Sequence, residues 1–390
     1  MALPDGTIYL DHAATTPVAS DVLQEMLPYF SERFGNASSV YRLGRLSFEA
    51  LDLARERVAR VLGCRPAEVV FTGGGSEADN LAIKGVAHAT RRRGNHIITS
   101  AVEHHAVLHT CQQLEHEGYE VTYLPVDEYG MVNPTMLESA LRDDTALVTI
   151  MYANNEVGTI QPVAELGRIC KARGVPFHTD AVQAGTFLNL TVSELNVDML
   201  SLSAHKFYGP KGVGILYVRQ GTRLQPQVVG GSQERNRRAG TENVPGIVGA
   251  AYALERAQSE RLEEEERLTG LRDRLIGGVT QIPSARLTGH PQQRLPNSAS
   301  FTIDGVEGES LLLNLDLLGV AASSGSACST GSVEPSHVLV ALGIAQGAAR
   351  GHLRLTLGRS TTEADIAYVI QHLSEIVERL RAMSTRPVPR

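Results

Sequence analysis

Between residues 68 and 218 short apolar runs alternate with helical patterns, and this alternation narrows the possible folds more than any other feature. The runs are EVVFTGG (68–74), HIITSAV (96–102), EVTYLPVD (120–127), TALVTIMYA (145–153), VPFHTDA (175–181), DMLSLSAHK (198–206) and GVGILYV (212–218). Helical patterns fall between most of them, at about 76–92, 105–117, 134–142 and 161–173. Strands that alternate with helices predict an α/β fold with a mostly parallel sheet covered on both faces. No helix separates the last two runs, so one antiparallel strand is expected.

After about residue 242 the pattern changes. ALERAQSERLEEEERLTGLRDRLIGG (253–278) predicts one long charged helix with a solvated glutamate face, serving as the hinge between two domains. Shorter strands follow at NSASFTID (297–304) and HLRLTLG (352–358), with helices at about 307–318, 335–343 and 362–382. This predicts a smaller α+β domain of about 130 residues. Pro335 is expected to open its helix as a first-turn proline.

Composition removes several function classes. The net charge of −7 argues against nucleic acid as a direct ligand. No run approaches the roughly 20 apolar residues of a membrane span, and the N-terminus has no signal-peptide pattern. The four cysteines, Cys64, Cys111, Cys170 and Cys328, are far apart and form no CxxC pair. That argues against a disulfide framework and favours a reducing, cytoplasmic setting. Only four of the 36 basic residues are lysines: Lys84, Lys171, Lys206 and Lys211. Chemistry that needs a side-chain primary amine therefore has four candidates.

Four segments carry groups suited to chemistry. In FTGGGSEADN (71–80) a strand ends, glycines turn the chain and a helix begins near Ser76. Such a junction suits a phosphate, which gains from free N–H groups and the helix dipole. A plain capping box of Ser76 and Asp79 is the structural alternative. In VPFHTDAVQ (175–183) Asp180 stands at a strand end, placed to pair with a cationic ring nitrogen or simply to cap the next helix. In SLSAHKFYGPKG (201–212) Lys206 follows a strand directly. Partial desolvation there would lower its pKa and favour attack on a carbonyl. Lys211 lies in an exposed turn, and Lys84 and Lys171 fall in helix patterns. In SAVEHHAVLH (100–109), Glu103, His105 and His109 admit a metal reading that lacks a further ligand, while His104 suits stacking on a planar ring. A lysine linkage, a carboxylate for a ring nitrogen, a phosphate cradle and a ring-facing imidazole are together what pyridoxal phosphate needs.

SSGSACSTGSVEP (323–335) adds a thiol, Cys328, among serines and glycines, where a cysteine has no core to pack into. With YLDHAATTPV (9–18), FTGGGSEADNLAIKG, EHHAV, NNEVGTIQPV (154–163), HTDAVQ, SAHKFYGPKGVG and RAGTENVPGIVG (238–249), the chain resembles the cysteine desulfurases of the NifS/IscS group. These are pyridoxal-phosphate enzymes of fold type I in aminotransferase class V. The likeness spans about residues 8–370.

The resemblance implies a large domain at 16–255 with a seven-stranded, mostly parallel sheet. It implies a small domain from 1–15 and 256–390 that carries the cysteine loop at about 323–334. It implies that Lys206 holds the cofactor, Asp180 pairs with its ring nitrogen, Gln183 bonds its ring hydroxyl and His104 stacks on the ring. Gly75, Ser76, Ser203 and His205 would hold the phosphate. Thr241 would reach the cofactor of a second subunit in a homodimer. Asn155 and Arg354 would clamp the substrate carboxylate, a task suited to a guanidinium. Cys328, as thiolate, would take sulfur from L-cysteine as a persulfide and pass it to an acceptor such as an iron–sulfur scaffold. No intrinsic metal is implied; Cys328 would meet an iron–sulfur cluster only in such a complex. Another class V reaction, selenocysteine lyase among them, needs the same cofactor residues. The chain departs from the family pattern at His12, Ala37 and Tyr41, where Asn, Pro and His are common. The short C-terminus, TRPVPR, lacks the longer tail that some members use to dock a scaffold.

Overall fold

The apolar runs become strands because each is rich in β-branched and aliphatic side chains that pack on both faces. The computed structural model describes residues 6–325 and 335–383. Strand β1 (Ile8–Tyr9) is followed by β2 (Val69–Thr72), β3 (His96–Ser100), β4 (Glu120–Leu124) and β5 (Thr145–Thr149). Next come β6 (Phe177–Asp180), β7 (Met199–Ser203) and β8 (Gly214–Val218). The strands β2 to β8 form one seven-stranded sheet in the order β2-β8-β7-β6-β5-β3-β4. Only β8 runs against its neighbours, pairing antiparallel with β2 and β7, while the other pairs are parallel. The missing helix between the last two runs is thus the antiparallel turn expected from the sequence.

Helices cover both faces of this sheet. Arg42–Leu62 and Val244–Ser259 pack on one side with a large apolar core that includes Leu51, Val58, Phe177 and Phe207. Gly75–Thr90 and His105–His116 cover the other, over Ile83, Ile97, Leu114 and Leu216. A further core joins Leu10, Leu275, Phe301, Leu355 and Leu373. It lies among the three-stranded antiparallel sheet, order β12-β10-β9, of β9 (Ala285–Leu287), β10 (Ser298–Ile303) and β12 (His352–Thr356), and the helices Arg261–Val279 and Glu363–Met383. Strand β11 (Val320–Ala321) pairs in parallel with β1, which ties the N-terminus to this second core.

Three local expectations are corrected. The single helix expected over 253–278 is two, Val244–Ser259 and Arg261–Val279, broken at Glu260 (φ −88°, ψ −2°). The Glu260 carboxylate accepts from Arg256 Nε at 2.8 Å and from Arg359 Nη2 at 2.6 Å, so it anchors the break to residues on either side. Pro335 does not open a helix: the helix begins at His337, capped by Ser336, whose hydroxyl accepts from Val338 N at 3.1 Å. A hydroxyl can satisfy an orphan amide, which proline cannot. Finally, Ser76 and Asp79 form no capping box. The helix starts at Gly75, and Asp79 is buried inside its second turn.

Candidate active site

A cavity of about 630 Å³, a size typical of small-molecule sites, opens at the carboxyl ends of β2, β6 and β7. Gly73–Ser76 follow β2, Asp180 ends β6, and Ser203 ends β7 just before His205 and Lys206. His104 enters between β3 and its helix, and Arg354 reaches in from β12 of the other sheet. Gly75, Ser76, His104, Asn155, Asp180, Gln183, Ser203, His205, Lys206 and Arg354 all line this one cavity. Thr241 does not. It borders a neighbouring cleft of about 170 Å³ that shares Gly73 and Gly212 with the main cavity. Cys328 lies outside the described residues.

Lys206 is held in place by the N-terminal segment. Its Nζ donates to Ala13 O at 2.5 Å and to Ala14 O at 2.7 Å. Gln183 Nε2 donates to the same Ala13 carbonyl at 3.0 Å, and His205 Nδ1 lies 3.0 Å from Thr15 Oγ1. Asp11 completes the strap, accepting from Arg354 Nη2 at 2.8 Å. Nothing in the segment YLDHAATTPV taken alone points to this task. Its partners lie about 170 to 340 positions away in the chain, a separation no local pattern spans.

Burial dominates the electrostatics. Asp180 has its carboxyl pKa raised by desolvation; the nearby His104, the Val182 amide and Lys206 oppose that shift. Its Oδ1 accepts from Val182 N at 2.9 Å, so it both caps the following turn and faces the cavity. Asp79, also lining the cavity, is raised well above the ordinary range by burial and then by the charge of Asp180. Burial and their mutual repulsion thus disfavour ionising both acids at once. Burial pushes Glu103 up to about 8, although Ser100 Oγ and Met151 N bond its Oε1. Glu103 is thereby a structural acid beneath the loop, separate from the stacked rings of His105 and His109 (5.0 Å between centroids). Burial lowers His104, and with Nδ1 accepting from Ala106 N at 3.1 Å the neutral ring presents its Nε2 side. His205 falls to about 4, by burial and then by Lys206 and Lys211, so it donates as a neutral ring at pH 7.

These groups fit pyridoxal phosphate. The phosphate end has the amino terminus of the helix Gly75–Thr90, whose first N–H groups have no helical acceptor. A Cβ at Gly75 would stand 2.8 Å from Val182 Cγ2 and 3.2 Å from Ser203 Cβ, so only glycine allows the helix end to approach so closely. The ring end has a buried carboxylate, Asp180, and an imidazole, His104, and the amine of Lys206 lines the same cavity. Arg354 is 1% exposed, so its guanidinium is a buried cation lining the same cavity.

Comparison with known proteins gives the family. The family described as Aminotransferase class-V matches residues 8–369. A cysteine desulfurase IscS of Methanosarcina thermophila is 55% identical over 377 residues, covering 97% of this chain and 93% of the relative. One of Dictyoglomus turgidum is 53% identical, covering 97% and 96%. A solved NifS-like protein superposes with a TM-score of 0.91 at 39% identity, covering 96% of this chain and all of that one. A structure described as SspA in complex with cysteine gives a TM-score of 0.81 at 38% identity, covering 90% and 99%. The chain belongs to the class V aminotransferase family, within its NifS/IscS group of cysteine desulfurases.

Proposed function

We propose that the chain is a pyridoxal-phosphate-dependent cysteine desulfurase that takes sulfur from L-cysteine onto Cys328 as a persulfide and leaves L-alanine. The observation that supports this best is the convergence, in one cavity, of Lys206, Asp180, His104, the Gly75 helix end and Arg354. When bound, pyridoxal phosphate supplies an aldehyde for an amine and a protonated ring that draws electrons from the substrate's bonds. Lys206 is the amine that would receive the cofactor and afterwards hold and return protons, and the carbonyls of Ala13 and Ala14 fix its Nζ in the cavity. Asp180 retains the proton on the ring nitrogen. Gln183 donates to the ring hydroxyl, and His104 covers the ring face. Gly75, Ser76, Ser203 and His205 hold the phosphate. Arg354 and Asn155 orient the substrate carboxylate so that its thiol faces Cys328. The Cys328 thiolate would attack the substrate sulfur, forming the S–S bond as the Cβ–S bond breaks; the electron pair of that bond would pass to the substrate carbon, and Cβ would take up a proton to become the methyl group of alanine.

The persulfide serves a sulfur acceptor, an iron–sulfur scaffold among the candidates. A cytoplasmic setting suits a catalytic thiol, which a reducing compartment keeps free; among the described residues no helix is long and apolar enough to cross a membrane. The core around the three-stranded sheet, distinct from the two cores on the faces of the seven-stranded sheet, supports a division into a cofactor-binding domain at 16–255 and a smaller one from 1–15 and 256–390. A homodimer, with Thr241 serving the partner's cofactor phosphate, is supported by its place outside the cavity.

Purified protein incubated with L-cysteine and a thiol reductant is expected to release sulfide and alanine one for one. Lys206→Ala is expected to lose the cofactor's amine-linked absorbance and at least a thousandfold in rate. Cys328→Ala is expected to keep that absorbance and lose sulfide release; wild-type sulfide release by Cys328→Ala would overturn the nucleophile assignment.

A further inference from the structure

Arg354 already has an anion. Its Nη2 donates to Asp11 Oδ1 at 2.8 Å, and its Nη1 donates to Asn155 O at 2.9 Å. The pair is well shielded from water, with side-chain exposures of 2% for Arg354 and 18% for Asp11. Among the described residues Asp11 is the only carboxylate within ion-pair distance of this guanidinium. The nearby acid Glu156 is engaged elsewhere, its Oε2 accepting from Ser336 Oγ at 2.5 Å. A guanidinium has five N–H groups, so each outer nitrogen keeps one for another acceptor while Asp11 and Asn155 stay bound. The arginine main chain is fixed as well: Arg354 N donates to Ser323 O at 2.6 Å, and β12 pairs with β10. Burial and its two side-chain bonds hold the guanidinium against Asp11.

We infer that Asp11 is a positioning residue that stays paired with Arg354 beside the substrate carboxylate and, by charge repulsion, holds down the affinity of this site for amino-acid carboxylates. The inference rests on the reading of Arg354 as the carboxylate clamp. A carboxylate that docks on Arg354 joins a site whose charge Asp11 has already neutralised, and the two anions repel one another. In a buried setting that repulsion is poorly screened. The consequence is weak retention of L-alanine, the product, which presents the same carboxylate as L-cysteine but has no thiol to pass on. Asp11 also belongs to the strap that holds Lys206, so its carboxylate reports on the carboxylate subsite while the neighbouring carbonyls hold the amine.

Asp11→Asn removes the charge and keeps an oxygen that can accept from Arg354. The test is the dissociation constant of L-alanine for the purified holoenzyme, read from the absorbance change of the bound cofactor and, separately, as competitive inhibition against L-cysteine. Asp11→Asn is expected to bind L-alanine about three- to tenfold more tightly than wild type. A gain in affinity is a readout that mere structural damage would not produce. Should Asp11→Asn fail to load cofactor, Asp11→Ser carries the same expectation. Unchanged or weaker L-alanine binding in a loaded Asp11 variant would overturn the inference, provided that Arg354→Gln weakens it. If Arg354→Gln leaves L-alanine binding intact, the clamp assignment itself fails, and the role of Asp11 fails with it.

Discussion

Lys206 stands out among four lysines because it alone follows a strand, and that much is visible in the chain. What holds its amine is not visible, since Ala13 and Ala14 contribute only backbone carbonyls and any residue has those. His12, in the same segment, departs from the family pattern. Its Nδ1 lies 3.0 Å from Thr356 O, its ring meets Tyr9 edge-on at 4.8 Å, and its Nε2 occupies the space that a Cβ at Gly358 would need. Burial first of all pulls its pKa down to about 4, against the carbonyl bond and the charge of Asp11. An unfolded histidine takes up its proton near pH 6.5, whereas folded His12 does so only near 4. Between those values the unfolded state binds more protons, so stability falls as pH falls. His205 and His352 act in the same direction. His12→Asn is expected to remove up to about 3 kcal/mol of the acid-side loss. Denaturant unfolding at pH 7 and at pH 4.5 checks this, with a shallower drop in the variant as the expected result.

At the scale of elements, legibility followed locality. Strands and helices of the 68–218 region are set by apolar periodicity and turn residues, which neighbouring positions encode. The ends of elements depend on partners elsewhere. The helix break at Glu260 needs Arg359, which lies 99 positions away. The start of the helix Gly75–Thr90 needs Val182 and Ser203, whose side chains leave no room for a Cβ at Gly75. That helix end is also the phosphate cradle, so Gly75→Ala links packing to cofactor binding. Valine is stiff at χ1 and yields little, so the helix end must shift outward. Overpacking of this kind costs about 1–3 kcal/mol, which predicts roughly a ten- to hundredfold weaker hold on pyridoxal phosphate. Titration of the apoprotein with pyridoxal phosphate, followed by absorbance, measures it; unchanged affinity would show that the cradle lies elsewhere.

For the whole molecule, the site exists only because the seven-stranded and three-stranded sheets meet. Arg354 arrives from the three-stranded sheet and Lys206 from the seven-stranded one, and the segment 11–16 ties them together. Arg294 adds a second tie, donating to Val157 O at 3.0 Å and Thr288 O at 3.1 Å and so joining the smaller sheet to the loop that carries Asn155. Outside the site, Phe30 (59% exposed), Phe34 (63%) and Phe48 (53%) are exposed aromatic side chains in the segment before and within the helix Arg42–Leu62. Exposed apolar patches mark association surfaces, and the proposed homodimer gives these side chains a use. Wild-type protein is expected to run at twice its 42.0 kDa. Phe34→Asp is expected to shift it towards the monomer and to lower activity, as measured by light scattering and sulfide release; a monomeric wild type with full activity would refute the dimer. The sequence alone determined the α/β alternation, the single antiparallel strand and the set of chemical groups on offer. All of these follow from residue type and short-range spacing. Tertiary structure alone decided that Asp11 faces Arg354, that Asp79 lies buried beside Asp180, and that two alanine carbonyls hold the lysine. Those contacts join residues from roughly 100 to 340 positions apart, and their energies come from desolvation and charge pairing that exist only once the cores have closed.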